Sequence, residues 1–250
     1  MSESLTTTIE PAEVAQFAAI AAEWWKPDGK FAQLHKINPA RIGYIRCRAV
    51  EHFGLDDAKI APFGGLKLLD IGCGGGLIAE PMARLGFDVT GIDAAEAGLD
   101  IAAVHADAGG LNIDYRVSTV EALAAERRGQ PGFDVVLALE VVEHVADPAL
   151  FLDSVAELVK PGGLVVLSTI NRTAKALALA KFGAEYVLGW VPPGTHDWRK
   201  FLKPSEVARP LRRAGLNVLD VTGLSLDLKT GGWRTSRQLD INYMLSAEKF

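Results

Sequence analysis

Cysteine is scarce: Cys47 and Cys73 are the only two thiols in 250 residues. Lying far apart, they make neither a zinc-ligand spacing nor a disulfide framework. A disulfide-stapled secreted fold is therefore not suggested, and a reducing cytoplasm is the expected compartment. Long hydrophobic runs are also missing. The apolar stretch 15–25 is interrupted by Glu23 and is too short to cross a bilayer. Residues 1–10 lack the basic and apolar regions of a signal peptide, so a soluble or at most peripheral protein is expected. An excess of positive charge is absent as well. Twenty-six Lys and Arg against 31 Asp and Glu leave a net charge of −5, which argues against nucleic acid as a partner. Internal repeats and low-complexity segments are lacking. What remains is a chain that is 49% hydrophobic, enough for one large α/β core.

The most informative stretch is Leu68-Leu69-Asp70-Ile71-Gly72-Cys73-Gly74-Gly75-Gly76. It reads as a buried strand ending in a glycine turn, followed by apolar residues at helical spacing (Leu77, Ile78, Met82, Leu85). Strand, glycine turn and helix open a nucleotide-type pocket, since backbone without Cβ atoms lets a ligand approach closely. A dinucleotide fingerprint from Gly72 would need a small third residue where Leu77 stands, which disfavours a nicotinamide cofactor. The pattern D-x-G-x-G-x-G, from Asp70 to Gly76, instead resembles the first motif of the class I methyltransferases. That resemblance implies S-adenosylmethionine (SAM) as the ligand.

Strand candidates at 67–71, 88–92, 113–117, 133–139 and 163–169 alternate with helical stretches at 94–108, 120–127 and 148–159. Later come a helix at 204–214 and strands at 216–222 and 241–248. The expected fold is α/β: a doubly wound, mostly parallel, Rossmann-like sheet of seven strands. In the methyltransferases the last of these strands is antiparallel. Two early helices, over 11–25 and from just after Asn38-Pro39, would cap the pocket within a single domain of residues 1–250, the cap covering 11–60. Segment 171–203 is an insertion carrying Arg172, Lys175, Lys181, Arg199, Lys200 and Lys203 against only Glu185 and Asp197. Its Leu179, Phe182, Tyr186 and Trp190 recur at helical spacing. A basic segment with an aromatic stripe suits an anionic membrane surface; a lid packed on the core would read the same way.

Asp93 ends the second strand about 20 residues beyond the glycine turn, where an acid can hold a ribose diol or cap the next helix. Ser118 and Thr119 follow the third strand and read equally as helix cap or ligand wall. Leu139 and Glu140 end the fourth strand, with Glu143 and His144 just beyond. Two carboxylates and an imidazole could ligate a divalent cation such as magnesium, although imidazole is not a favoured magnesium ligand. His144 alone could serve as a general base, or the group could position its loop. His196, in Gly194-Thr195-His196-Asp197, is a second candidate near the entrance.

A narrower resemblance follows from Leu34-His35-Lys36-Ile37-Asn38-Pro39-Ala40-Arg41, Glu140-Val141-Val142-Glu143-His144, Gly183-Ala184-Glu185-Tyr186, Pro192-Pro193-Gly194-Thr195-His196-Asp197 and Asp240-Ile241-Asn242-Tyr243. With the glycine motif, these resemble the ubiquinone biosynthesis O-methyltransferases over nearly the whole chain. The resemblance implies methyl transfer from SAM to a polyprenylated catechol or hydroquinone, namely 2-polyprenyl-6-hydroxyphenol and 3-demethylubiquinol. It maps SAM contacts onto Arg41, Gly72, Asp93 and Leu139. It maps a metal site onto Glu140, Glu143 and His144, with His144 and Glu143 as the catalytic residues. It links segment 171–203 to an anionic lipid surface. It implies a cytoplasmic enzyme peripheral to the inner face of the cell membrane and associated with other enzymes of the pathway. Rival expectations are a methyltransferase for another small molecule and a non-catalytic SAM-binding subunit of a biosynthetic complex.

Overall fold

A computed structural model of the chain describes residues 7–178, 198–227 and 231–250. Among these, the strands are β1 (Lys67–Ile71), β2 (Asp88–Asp93), β3 (Asp114–Val117), β4 (Phe133–Leu139), β5 (Val159–Ile170), β6 (Leu216–Leu226), β7 (Trp233–Ser236) and β8 (Asn242–Lys249). They form one sheet in the order β3-β2-β1-β4-β5-β8-β6-β7. The pairs from β3 to β5 are parallel, and β8 lies antiparallel between β5 and β6. The seven expected strands are present and the last is antiparallel. An eighth, β7, pairs antiparallel with β6 at the sheet edge. This short strand, Trp-Arg-Thr-Ser, lacks the apolar run that marks an interior strand, so its sequence signal is weak.

The pleat sends alternate residues to opposite faces. On one face Val136 and Ala138 of β4 join Leu69, Val165 and Leu245 beneath α5 (Val120–Glu126), α6 (Pro148–Leu158) and α8 (Pro204–Arg213). On the other, Val135 and Leu137 join Leu68, Val166 and Met244 beneath α2 (Ala32–Phe53) and α3 (Ala79–Arg84). Burial of each such side chain contributes about 1.5–3 kcal/mol before chain entropy is set against it. Helix α4 (Glu96–Ala108) follows β2. Thr119 caps α5 by accepting from the amide of Ala122, and Asp147 caps α6 ahead of Pro148.

The N-terminal region departs from expectation in two places. Helix α1 spans Pro11–Ala19, and a 3-10 turn at Ala21–Glu23 replaces its expected continuation to Trp25. Helix α2 begins at Ala32 and carries Pro39 inside it rather than starting beyond it. Proline there removes a helical donor and costs about 3 kcal/mol. Ile37, Arg41, Tyr44, Ile45 and Ala49, buried on one face of the helix, outweigh that cost. The helix closes at Gly54, whose φ of 61° is the left-handed cap glycine adopts freely. Of segment 171–203, the structure describes helix α7 (Ala174–Leu177) and a turn at Trp198–Lys200. The stripe Leu179, Phe182, Tyr186 and Trp190, and with it His196, lies outside the described residues.

Candidate active site

The order of β2, β1 and β4 puts the reversal of chain direction around the sheet beside β1. A crevice at the carboxyl ends of the strands is expected there. A cavity of about 830 Å³ occupies it. Gly72, Asp93, Leu139, Glu140, Glu143, His144 and Arg41 all line this one space, so the structure brings these seven residues to a common wall.

The glycine loop is tied to β2 by the amides of Gly72 and Cys73, which donate to the Ile92 carbonyl at 2.8 and 3.1 Å. Gly72, Gly74 and Gly76 have φ of 67°, 50° and 84°, a region closed to most side chains. The loop also has a second reason to be glycine. A Cβ at Gly74 or Gly75 would stand 2.3 or 2.4 Å from the indole of Trp24. Trp24 in turn stacks on Phe31 with ring centroids 3.6 Å apart, and Trp25 donates to the Gly75 carbonyl at 2.9 Å. The N-terminal cap therefore clasps the loop directly. Trp24-Trp25 read as the end of an amphipathic helix, and no local spacing marked them as loop partners.

Asp93 accepts from the amide of Gly74 at 2.9 Å and of Ala95 at 2.8 Å. Asp93 thus ties the glycine loop to the residue ahead of α4 and faces the cavity, and α4 itself has no side-chain cap. Burial raises its pKa against the pull of those backbone amides. Asp70 is fully buried, and its Oδ2 has no partner among the described residues. Burial first, and the charge of Asp93 second, push Asp70 up to about 7. Cys73 is buried and its thiol is raised by burial, in keeping with a bystander.

Glu140 has φ of 56°, the one non-glycine residue with positive φ among the described residues. Strain of this kind persists where surrounding contacts hold it. Arg41 reaches the Glu140 carboxylate at 2.7 Å, and the Ser168 hydroxyl donates to it at 2.7 Å. Arg41 is itself buried, donates to Asn38 at 3.3 Å, and leaves its Nε unpartnered among the described residues. Glu143 accepts from the Thr169 hydroxyl at 2.8 Å. Burial and then the neighbouring Glu140 charge raise its pKa.

His144 meets a partner that the sequence did not disclose. Its Nδ1 lies 3.1 Å from Glu13 of α1, and Lys200 reaches the other Glu13 oxygen at 3.0 Å. The ring of Phe17 packs edge-on against the imidazole at 5.4 Å. Hydrogen bonding to His144 is the largest influence on Glu13, and with Lys200 it lowers the carboxyl to about 2 despite burial. For His144, burial disfavours the charged ring, but the Glu13 bond and the charges of Glu143, Glu13 and Glu140 outweigh it and raise the pKa. Farther along the same strap, Thr8 donates through its amide (3.3 Å) and its hydroxyl to Glu121, and its carbonyl accepts from Ala146 at 2.8 Å. The segment before α1 offered no motif from which this could be read.

Glu140, Glu143 and His144 are neighbours, yet each is turned to a different partner. No cluster of three or more His, Cys, Asp or Glu suited to a metal ion occurs among the described residues. As placed, the three do not fit a common cation, because a guanidinium already sits on Glu140. Ligation by all three would require Glu140 to leave Arg41 and His144 to leave Glu13.

Comparison with known proteins agrees with this geometry. Residues 44–221 match the family described as a methyltransferase domain. The magnesium protoporphyrin IX methyltransferase of Synechocystis PCC 6803 with bound SAH has the same fold. Its TM-score is 0.63 at 20% identity, over 94% of this chain and 95% of that one. A SAM-dependent methyltransferase of Thermotoga maritima gives 0.62 at 15% identity, over 96% and 100%. Among sequences, the ubiquinone biosynthesis O-methyltransferase of Caulobacter vibrioides is 57% identical over 97% of this chain and 95% of its own length. That of Caulobacter sp. strain K31 is 55% identical over the full length of both. By this likeness along its whole length, the chain belongs to the ubiquinone biosynthesis O-methyltransferases.

Proposed function

We propose that this chain transfers the methyl group of SAM to a phenolic oxygen of a polyprenylated catechol or hydroquinone in ubiquinone biosynthesis. The acceptors are 2-polyprenyl-6-hydroxyphenol and 3-demethylubiquinol. The observation that carries the reading is the single cavity in which the glycine loop and Asp93 share walls with Glu143 and His144.

The residues at the β1 end fit SAM. The glycine loop provides close backbone approach, and the Asp93 carboxylate suits a ribose diol. The free oxygen of Asp70 and the unpartnered Nε of Arg41 suit the ammonium and carboxylate of the amino-acid end. Leu139 packs at the end of β4, and Thr119 stands across the cavity. When bound, SAM supplies an electrophilic methyl group whose leaving group is a neutral thioether.

What the protein must add is a nucleophilic oxygen held in line. A phenol titrates near ~10 and is mostly protonated at neutral pH. His144 takes that proton. Glu13, held ionised, can only accept a hydrogen bond, so Nδ1 of His144 carries the hydrogen and Nε2 the lone pair. The Glu13 charge then offsets the imidazolium as it forms, the role an acid plays behind a catalytic histidine elsewhere. Glu143, fixed by Thr169, acts on His144 through its charge. The α1 strap covers the cavity, so orientation and exclusion of water come from the same element.

A prenylated acceptor partitions into a bilayer, which supports peripheral contact on the cytoplasmic side. Among the described residues no helix is long and apolar enough to cross a membrane. Arg172, Lys175 and Lys200 pair with Glu206, Asp240 and Glu13. Their charge is thus offset within the protein and counts little toward an anionic surface.

Methyl transfer from labelled SAM to a prenylated catechol, with and without chelator, tests the proposal. Turnover that His144→Gln and Glu143→Gln abolish while SAM binding survives is the expected result. Unchanged catalysis in both variants would remove the assignment. The chelator arm reports whether Glu140, Glu143 and His144 exchange their present partners for a cation during turnover.

A further inference from the structure

The cavity is longer than a cofactor needs. Its wall takes Asp93 from β2, Ile71 from β1, Leu139 from β4 and Ile170 from β5, then continues through Asn242, Leu224 and Leu226 to Trp233 on β7. At about 4.8 Å between strands, the six steps from β2 to β7 span roughly 29 Å. The glycine loop, Asp93, Glu143 and His144 belong to the half around β1 and β4. The half from β5 to β7 has a different chemistry.

That second half is mostly apolar, built from Ile170, Leu224, Leu226 and Ile241. Lys175, Ser225, Gln238 and Asp240 share its lining, and two further polar atoms stand out. Asn242 Oδ1 and Trp233 Nε1 are buried, and neither has a partner among the described residues. An unmet acceptor or donor costs about 1–3 kcal/mol in a dry wall, so the pair is a standing offer to a polar ligand. The wall is also closely fitted. A Cβ at Gly223 would overlap the Gln238 carbonyl, so glycine there lets the chain before β8 close over β6. At the far end Leu226 is 39% exposed, and the arm reaches the surface beside it.

We propose that the β5–β7 arm is the acceptor subsite and takes an amphiphilic phenol. Asn242 accepts from, and Trp233 donates to, the ring oxygens that are not being methylated. Leu224, Leu226 and Ile241 take the hydrocarbon chain, which leaves past Leu226 when it is longer than the arm. This rests on the catechol methyl-transfer reading and adds the residues that select the acceptor.

The test uses the full chain with labelled SAM and two acceptors, a catechol without a side chain and a prenylated catechol. Trp233→Phe deletes the N–H and keeps a ring in place; the KM for both acceptors is expected to rise about tenfold with SAM affinity unchanged. Asn242→Leu, of similar volume, repeats the test from the acceptor side. Leu226→Trp narrows the arm and is expected to lower the ratio of kcat/KM, prenylated over bare, by at least tenfold. Wild-type acceptor KM in both Trp233→Phe and Asn242→Leu would overturn the polar assignment. Equal loss on both acceptors in Leu226→Trp would overturn the chain assignment. Wild-type protein that methylates neither catechol would overturn the reaction reading and the acceptor class with it, a failure visible before any variant is made.

Discussion

At His144 the ring is held through Nδ1 by Glu13 and touched edge-on by Phe17, so Nε2 is the nitrogen assigned as base. Replacing His144 by glutamine should lower kcat about 10²- to 10⁴-fold; single-turnover rates beside equilibrium SAM titration separate this from a binding defect. Because the Glu13 bond and the surrounding carboxylates raise the His144 pKa, the acid limb of the kcat profile should lie above the ordinary imidazole value of about 6.5. Glu13→Gln should move that limb down, and a limb that stays in place would show that the contact is only structural. That Gly72, Asp93, Glu143 and His144 line the cavity was legible, since they sit at strand ends whose spacing is local, while Arg41 and Leu139 came from the family resemblance alone. Glu13 was not. It lies 131 residues from His144, and a single acid on the polar side of an amphipathic helix carries no mark of its target. Nor could spacing show that Arg41 and Glu13 engage Glu140 and His144, donors that the sequence had offered to a metal.

At the scale of the element, α1 acts as a strap with three attachments: Thr8 to Glu121, Glu13 to His144 and Lys200, and Trp24 to the glycine loop. The middle attachment has a sign that can be worked out. Glu13 has a depressed pKa, so its contribution is present above the ordinary carboxylate range and fades as pH falls toward about 2. His144 has a raised pKa, so its contribution is present below the ordinary imidazole value and fades as pH rises through the raised one. Hydrogen exchange in the regime where reclosing outpaces exchange, corrected for intrinsic rates, should show greatest protection of α1 between those limits. Protection that does not vary across them would contradict the latch. Trp24→Ala should lower stability by about 3 kcal/mol and weaken SAM binding, read by denaturant titration and calorimetry. The strands and most helices were legible because buried β-strands and capped helices announce themselves locally. Pro39 inside α2 was not, since the burial that outweighs its cost comes from residues distant in the chain.

At the scale of the whole molecule, the proposed sites for SAM and for the acceptor lie along one end of a single sheet. Strand β7 extends the sheet beyond the seven strands expected. The described flank of the insertion 171–203 supplies Lys200 to the strap. The central claim is that this end of the sheet brings a phenolic oxygen to the methyl group of SAM with His144 as base. The most direct measurement is product analysis after incubating the purified chain with methyl-labelled SAM and a prenylated catechol. The account predicts label on a phenolic oxygen, with turnover lost in His144→Gln while SAM binding is kept. Label on a ring carbon, or SAM bound with no catechol methylated, would contradict it.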